Sequence, residues 1–328
     1  MLEFAMGLDT EFSELVEGSH LYYPKVSLDQ VVLPEETKKL ILSTVENFEG
    51  FKRARKRMGL DEAFSYGGGI VMLFFGASGT GKTMMANSIA NHMKKKILLI
   101  NFPSLGRMSG GENLKFIFRE AKINDAILFF DECESIFESR TRGHYDVNML
   151  LTEIERHDGL IVMATNRAFD LDEAMHRRIT LAIEFQKPDP ILREKIWRAN
   201  IPKDLVLHES VNLKDLAMQF ELTGGFIKNA IISALSMAVG RDGEKNASIR
   251  QEDLEHGARL QLRGRLRMID FDHRVVPTRG LESLVLAQDK IKILKEIISF
   301  EKARQILFSQ WGFDKMMGSD QATSCLFW

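Results

Sequence analysis

The eight residues Gly76-Ala77-Ser78-Gly79-Thr80-Gly81-Lys82-Thr83 constrain this chain more than any other stretch. They fit the pattern GxxxxGK[ST], directly after the apolar run Ile70 to Phe75 and directly before a helical pattern that opens at Met84. Glycines at these places allow a tight backbone ring whose N–H groups, together with a helix N-terminus, surround phosphate oxygens. In such a loop Lys82 adds a point charge for the β- and γ-phosphates, and the Thr83 hydroxyl is a magnesium ligand. A loop of this kind needs a strand before it and a helix after it, so it points to an α/β fold.

The rest of the chain has the pattern that this fold requires. Apolar runs recur at Ile97 to Ile100, Ile127 to Phe130, Leu160 to Ala164 and Leu181 to Phe185, with helix-length segments between them. Continuous apolar runs of this length read as strands buried on both faces, so the expected architecture is a three-layer parallel sheet with helices on either side. After Lys187-Pro188-Asp189-Pro190 the strands stop, and residues 191 to about 260 read as a small all-helical domain. The expected domains are a lead over 1–26, an α/β nucleotide-binding domain over 27–188, a helical lid over 189–262, a linker over 263–279 and a further segment over 280–328. The acidic lead, with Pro24, shows no pattern that gives it a place in the fold and is compatible with a disordered segment.

The last of these segments is an incomplete copy of an earlier one. LDQVVLPEETKKL from Leu28 returns as LESLVLAQDKIKI from Leu281, 253 residues later. The same register pairs Gly59, Leu60 and Asp61 with Gly312, Phe313 and Asp314, and Leu73-Phe74 with Leu326-Phe327. Gly76, where the phosphate loop begins, has its counterpart one position past Trp328, so the expectation is one complete module followed by the opening of a second.

A second chemical signature lies in Ile127-Leu128-Phe129-Phe130-Asp131-Glu132, where two carboxylates end a buried strand at the sheet edge that carries ligands. Asp131 is placed to hold magnesium, and Glu132 to polarise the attacking water. Composition narrows the alternatives. With 44 Lys plus Arg against 46 Asp plus Glu, the formal charge is −2, which gives no global attraction to nucleic acid or anionic lipid. The apolar runs fall far short of a membrane span, and two cysteines, Cys133 and Cys325, make neither a disulfide framework nor a thiolate metal site. MLEFAMGLDTEF lacks a basic region before an apolar core, so the expected location is the cytoplasm, with the nucleus left open. The cluster Lys52-Arg53-Ala54-Arg55-Lys56-Arg57 has no interleaved aromatic platforms and reads as a solvated or intersubunit helix face.

GASGTGKT, LFFDE, MATN (Met163 to Asn166) and HRR (His176 to Arg178), in this order, resemble an AAA ATPase module. Residues 27–260 carry the resemblance, and the partial repeat resembles the start of the next module in tandem members such as the valosin-containing-protein-like ATPases. The resemblance implies ATP and Mg2+ as ligands, with Gly76 to Thr83 and Met84 around the nucleotide. It gives Asn166 the role of γ-phosphate sensor, and makes Arg177 or Arg178 a finger that reaches into a neighbouring subunit's site. Gly225, with Gly224, resembles the start of the lid helix near the adenine, and Lys228 one turn later is a candidate to face the phosphates. Val31 and Val32 match the stretch that packs on adenine.

The family's pore loop departs from its usual pattern here. Leu105-Gly106-Arg107-Met108-Ser109-Gly110-Gly111-Glu112 puts Met108 where remodelling members carry an aromatic residue, and a thioether is a poorer wedge. The expected function is therefore Mg-dependent ATP hydrolysis in a ring, a hexamer by resemblance, that remodels protein substrates. An ATP-dependent assembly scaffold and a nucleic-acid-associated motor are the alternatives.

Overall fold

The computed structural model describes residues 13–14, 18–60, 68–101, 110–133, 145–167, 173–268 and 286–305. A first unit ends at Lys187 and a second begins at Pro188.

The first unit is built on seven strands: β1 (Ser13–Glu14), β2 (Ser19–Tyr22), β3 (Ile70–Phe75), β4 (Ile97–Asn101), β5 (Ile127–Asp131), β6 (Leu160–Thr165) and β7 (Leu181–Glu184), in the spatial order β1-β2-β4-β5-β6-β3-β7. Strands β4, β5, β6, β3 and β7 are parallel, and the strand ahead of the phosphate loop lies between β6 and β7. The intervening helices are α1 (Glu35–Glu46), α2 (Phe48–Arg57), α3 (Lys82–His92), α4 (Gly110–Ile123), α5 (Tyr145–Arg156) and the single turn α6 (Glu173–His176).

Why β3, β4, β5 and β6 are apolar almost throughout is visible in the two cores, since successive side chains of a strand alternate between faces; β7, at the sheet edge, buries Ile183 and leaves Ala182 and Glu184 exposed. Val71, Leu73, Leu128, Phe130, Ile161 and Met163 pack on one face with residues of α4 and α5. Ile70, Met72, Phe74, Ile127, Phe129, Leu160 and Val162 pack on the other with α1 and α3. Each such side chain, fully buried, contributes about 1.5–3 kcal/mol. Three layers follow from sequences that cannot leave either face of the sheet wet.

The lead departs from expectation. Ser19–Tyr22 adds an antiparallel edge strand to β4, pairing Tyr22 with Ile97 and Ser19 with Ile100, and Ser13–Glu14 pairs with it in turn. Over these residues the lead belongs to the sheet, which is therefore mixed at one edge. The alternation of SHLY is too short to announce a strand whose partner is more than 70 residues away.

The second unit is helical: α7 (Pro190–Asn200), α8 (Leu213–Gln219), α9 (Gly224–Asp242), α10 (Gln251–Met268) and α11 (Gln288–Gln305). Asp189 caps α7 by accepting from the Leu192 N–H at 2.7 Å, with Pro190 in the first turn, and Asn212 caps α8 through the N–H groups of Lys214 and Asp215. Trp197 is fully buried, and the buried Arg193 donates to the carbonyls of Ala217 and Pro188. Helix α11 begins at Gln288, the residue that the internal repeat aligns with Glu35 at the start of α1. The repeat's later matches, from Gly312 onward, lie outside the described residues.

Candidate functional site

Sheet register brings the polar residues together. Phe75 lies opposite Thr165, and Asn101 opposite Asp131, so the chain leaves β3, β5 and β6 at one common edge. Gly76 and Asn166 are the first residues beyond two adjacent strands.

The loop between β3 and α3 turns on three glycines with positive φ: Gly76 at +134°, Gly79 at +74° and Gly81 at +102°. At Gly76 a Cβ would stand 2.3 Å from the Phe185 carbonyl oxygen, so both the backbone angle and the neighbouring strand demand glycine. Helix α3 starts at Lys82, and its leading N–H groups open towards the loop.

Lys82 is buried, and its ammonium donates to the carbonyls of Gly76 (2.7 Å) and Ala77 (2.9 Å) and to Asn166 Oδ1 (2.9 Å). One side chain thus links the loop to the end of β6. Next along the helix, Thr83 Oγ1 donates to Asp131 Oδ2 at 3.0 Å, linking α3 to the end of β5. A hydroxyl and a carboxylate, both hard oxygen donors at the mouth of a phosphate loop, are a donor set that suits Mg2+ alongside phosphate oxygens and water. Among the described residues no group of three or more His, Cys, Asp or Glu gathers as an all-protein metal cage.

Glu132 follows Asp131 with φ +53°, a left-handed conformation that costs a non-glycine residue about 1–2 kcal/mol. The Asp131 carboxylate accepts its N–H at 3.1 Å, and Cys133 beyond it returns to the sheet by donating to the Ala164 carbonyl at 3.0 Å. The chain is thereby turned so that Glu132 is exposed at the sheet edge while Cys133 is fully buried. Strain of this kind gathers where a side chain must be aimed.

The two arginines after α6 differ. Arg178 is half-buried, forms a 2.6 Å ion pair with Glu155 of α5 and donates to the Ala174 carbonyl. Arg177 is exposed. Val31 is buried in the core with Ile41 and Phe74, whereas Val32 is half-buried. Met84 is exposed on the first turn of α3. Gly225 and Lys228 lie in the first turns of α9 in the second unit, Gly225 exposed and Lys228 half-buried. Leu105 to Ser109 lie outside the described residues, and Gly110 to Glu112 open α4.

Glu155, which holds Arg178, and two buried residues behind the loop, Tyr22 and Asn87, carry no mark in the sequence that sets them apart. Glu155 reads as one more acid on a helix, and only its ion pair distinguishes it.

Residues 72–187 match the family model described as "ATPase family associated with various cellular activities (AAA)". The chain is 32% identical over 242 residues to the Cell division cycle protein 48 homolog of Archaeoglobus fulgidus, an alignment covering 69% of this chain and 30% of that protein. Protein SAV of Sulfolobus acidocaldarius is 30% identical over 242 residues, covering 68% of this chain and 30% of that protein. Protein CdcH of Halobacterium salinarum is 30% identical over 251 residues, covering 72% and 31%. The chain spans less than a third of the length of each of these relatives. Among the described residues, no helix is long and apolar enough to cross a membrane. Motif order, sheet order, loop geometry and sequence match agree, and the chain carries a domain of the AAA ATPase family.

Proposed function

We propose that this chain is an ATP-hydrolysing module which works with neighbouring copies in a ring to remodel protein substrates or complexes. The observation that carries the reading is the pair of links across the sheet edge, Lys82 to Asn166 and Thr83 to Asp131. They join, at one point, a phosphate loop, a metal-suited oxygen pair and the ends of β5 and β6.

Backbone N–H groups of the loop and Lys82 bind the β- and γ-phosphates, and Thr83 with Asp131 would hold magnesium. Magnesium held there would supply positive charge that offsets the charge on the phosphate oxygens. Asn166, already in contact with Lys82, orients the γ-phosphate and the attacking water. Glu132 accepts the proton of that water as its oxygen bonds to the γ-phosphorus and the bond to the β–γ bridging oxygen breaks, releasing ADP and phosphate. Arg177 and Arg178 are the candidate fingers for a neighbour's nucleotide, and Arg178 also pairs with Glu155 of its own subunit.

Glu132→Gln tests the assignment, since it removes the base while keeping size and polarity. ATP affinity should stay within a few-fold of wild type while turnover falls by about 10²–10⁴. Turnover that survives the substitution would remove Glu132 from the reaction.

A further inference from the structure

Behind the phosphate loop, α3 faces the sheet with a surface that should be apolar, yet Asn87 on that face is only 2% exposed. Both polar atoms of its amide are engaged. Nδ2 donates to the Thr83 carbonyl at 2.9 Å, and Oδ1 accepts from the Tyr22 hydroxyl at 2.9 Å. Tyr22 closes the edge strand β2 and is itself only 4% exposed. A continuous path of hydrogen bonds therefore runs from Tyr22 through Asn87 to the residue whose hydroxyl meets Asp131 at 3.0 Å.

A buried asparagine costs stability unless each of its polar atoms is matched, so its retention needs a reason. Simple packing gives none, because leucine would fill the same place. What asparagine adds is a fixed orientation for the first turn of α3, enforced from outside the helix by a donor that stays protonated. Burial raises the ionisation of the Tyr22 phenol well above its usual range, and the negative charge of Asp131 adds to this. A second link, Asn91 Nδ2 to the Val26 carbonyl at 3.0 Å, ties the same segment to α3 one turn further on without touching Thr83.

We infer that Tyr22 is a positioning residue for the metal-holding end of the site, acting through Asn87 on the helix turn that presents Thr83. Strand β2 thus serves the nucleotide site as well as the sheet. This rests on the assignment of Thr83 and Asp131 to magnesium.

The test is ATP affinity with and without Mg2+, read by titration of a fluorescent ATP analogue into the full chain carrying Glu132→Gln, so that binding is observed without turnover. Tyr22→Phe keeps the ring and removes only the hydroxyl. The gain in affinity that Mg2+ brings should shrink by about two- to thirteenfold, the equivalent of a buried bond worth about 0.5–1.5 kcal/mol, while affinity without Mg2+ stays unchanged. Asn87→Ala should produce the same loss, and Tyr22→Phe added to Asn87→Ala should take away nothing more. Asn91→Ala, which removes the neighbouring tie, should leave the Mg2+ gain intact.

A Tyr22→Phe protein with the wild-type Mg2+ gain would overturn the inference. So would equal losses with and without Mg2+, which would mark a merely structural role, or additive losses in the double variant. A parent protein whose ATP affinity is unaffected by Mg2+ would instead overturn the magnesium assignment, and the inference with it.

Discussion

Gly76→Ala places a methyl group where the neighbouring strand's backbone already stands. An ideal Cβ would lie 2.3 Å from the Phe185 carbonyl oxygen, 3.0 Å from its carbon and 3.3 Å from its nitrogen. A backbone carbonyl cannot rotate away as a flexible side chain does, so loop and strand must separate by about 1 Å to restore ordinary contact. Ladder bonds on both sides resist that movement: Phe185 N–H to the Phe75 carbonyl at 2.7 Å must stretch, and Gly76 N–H to the Thr165 carbonyl on the opposite side, at 3.3 Å, must distort. Losing or stretching them costs about 1–3 kcal/mol together, and φ of +134° adds about 1–2 kcal/mol for any residue with a Cβ. The expected destabilisation is about 2–5 kcal/mol. Gly81→Ala separates the two contributions, because Gly81 has φ +102° but nothing within 4 Å of its would-be Cβ. It should lose only the backbone part, about 1–2 kcal/mol. Urea unfolding of both variants measures the difference, and ATP titration shows whether the displaced Gly76 carbonyl, a partner of Lys82, also weakens binding. If Gly76→Ala costs no more than Gly81→Ala, the close approach to Phe185 is not what fixes this glycine.

Further expectations follow from the burial of single groups. Burial lowers the pKa of His157 from 6.5 to about 4, so the unfolded chain takes up a proton that the folded one refuses. Its contribution is complete above about pH 6.5 and is lost as pH falls towards 4, a change of up to about 3 kcal/mol. Urea midpoints between pH 7.5 and 4.5 should fall with this slope in wild type and much less in His157→Leu; identical slopes would assign the acid sensitivity elsewhere. Arg178→Ala should lower stability by about 1–2 kcal/mol through the stranded Glu155, and Arg177→Ala, which removes a candidate finger, should lower turnover by orders of magnitude. An Arg178→Ala protein as stable as wild type would show that the pair with Glu155 does not hold the fold, and wild-type turnover in Arg177→Ala would remove that residue as a finger.

The parts of this molecule that were legible in sequence are those encoded locally. Ile70 to Phe75 is a strand over the expected residues because an unbroken apolar run has no other place than a sheet buried on both faces. Residues 76–83 disclose their loop because the glycines, the lysine and the threonine act within eight consecutive positions. What could not be read depends on partners distant in the chain. Ser19–Tyr22 becomes a strand only by meeting Ile97 to Ile100, and nothing in four residues specifies that encounter. Asn87 looks like an unremarkable polar position until Tyr22, 65 residues earlier, is seen to hold it. Arg178 looks like any arginine after a short helix until Glu155, 23 residues earlier, is found to pair with it. Glu132 stood out as an acid after a strand, but its left-handed backbone, which aims the side chain, leaves no mark in the residue type.

The central claim is a hydrolytic site completed by a neighbouring copy, and ATP turnover per chain measured against protein concentration tests it most directly, with Glu132→Gln as the blank. Specific activity that rises with concentration, disappears in the blank and collapses in Arg177→Ala is the predicted result. Activity above the blank that stays flat over the whole concentration range would contradict it, since the site would then be complete within one chain.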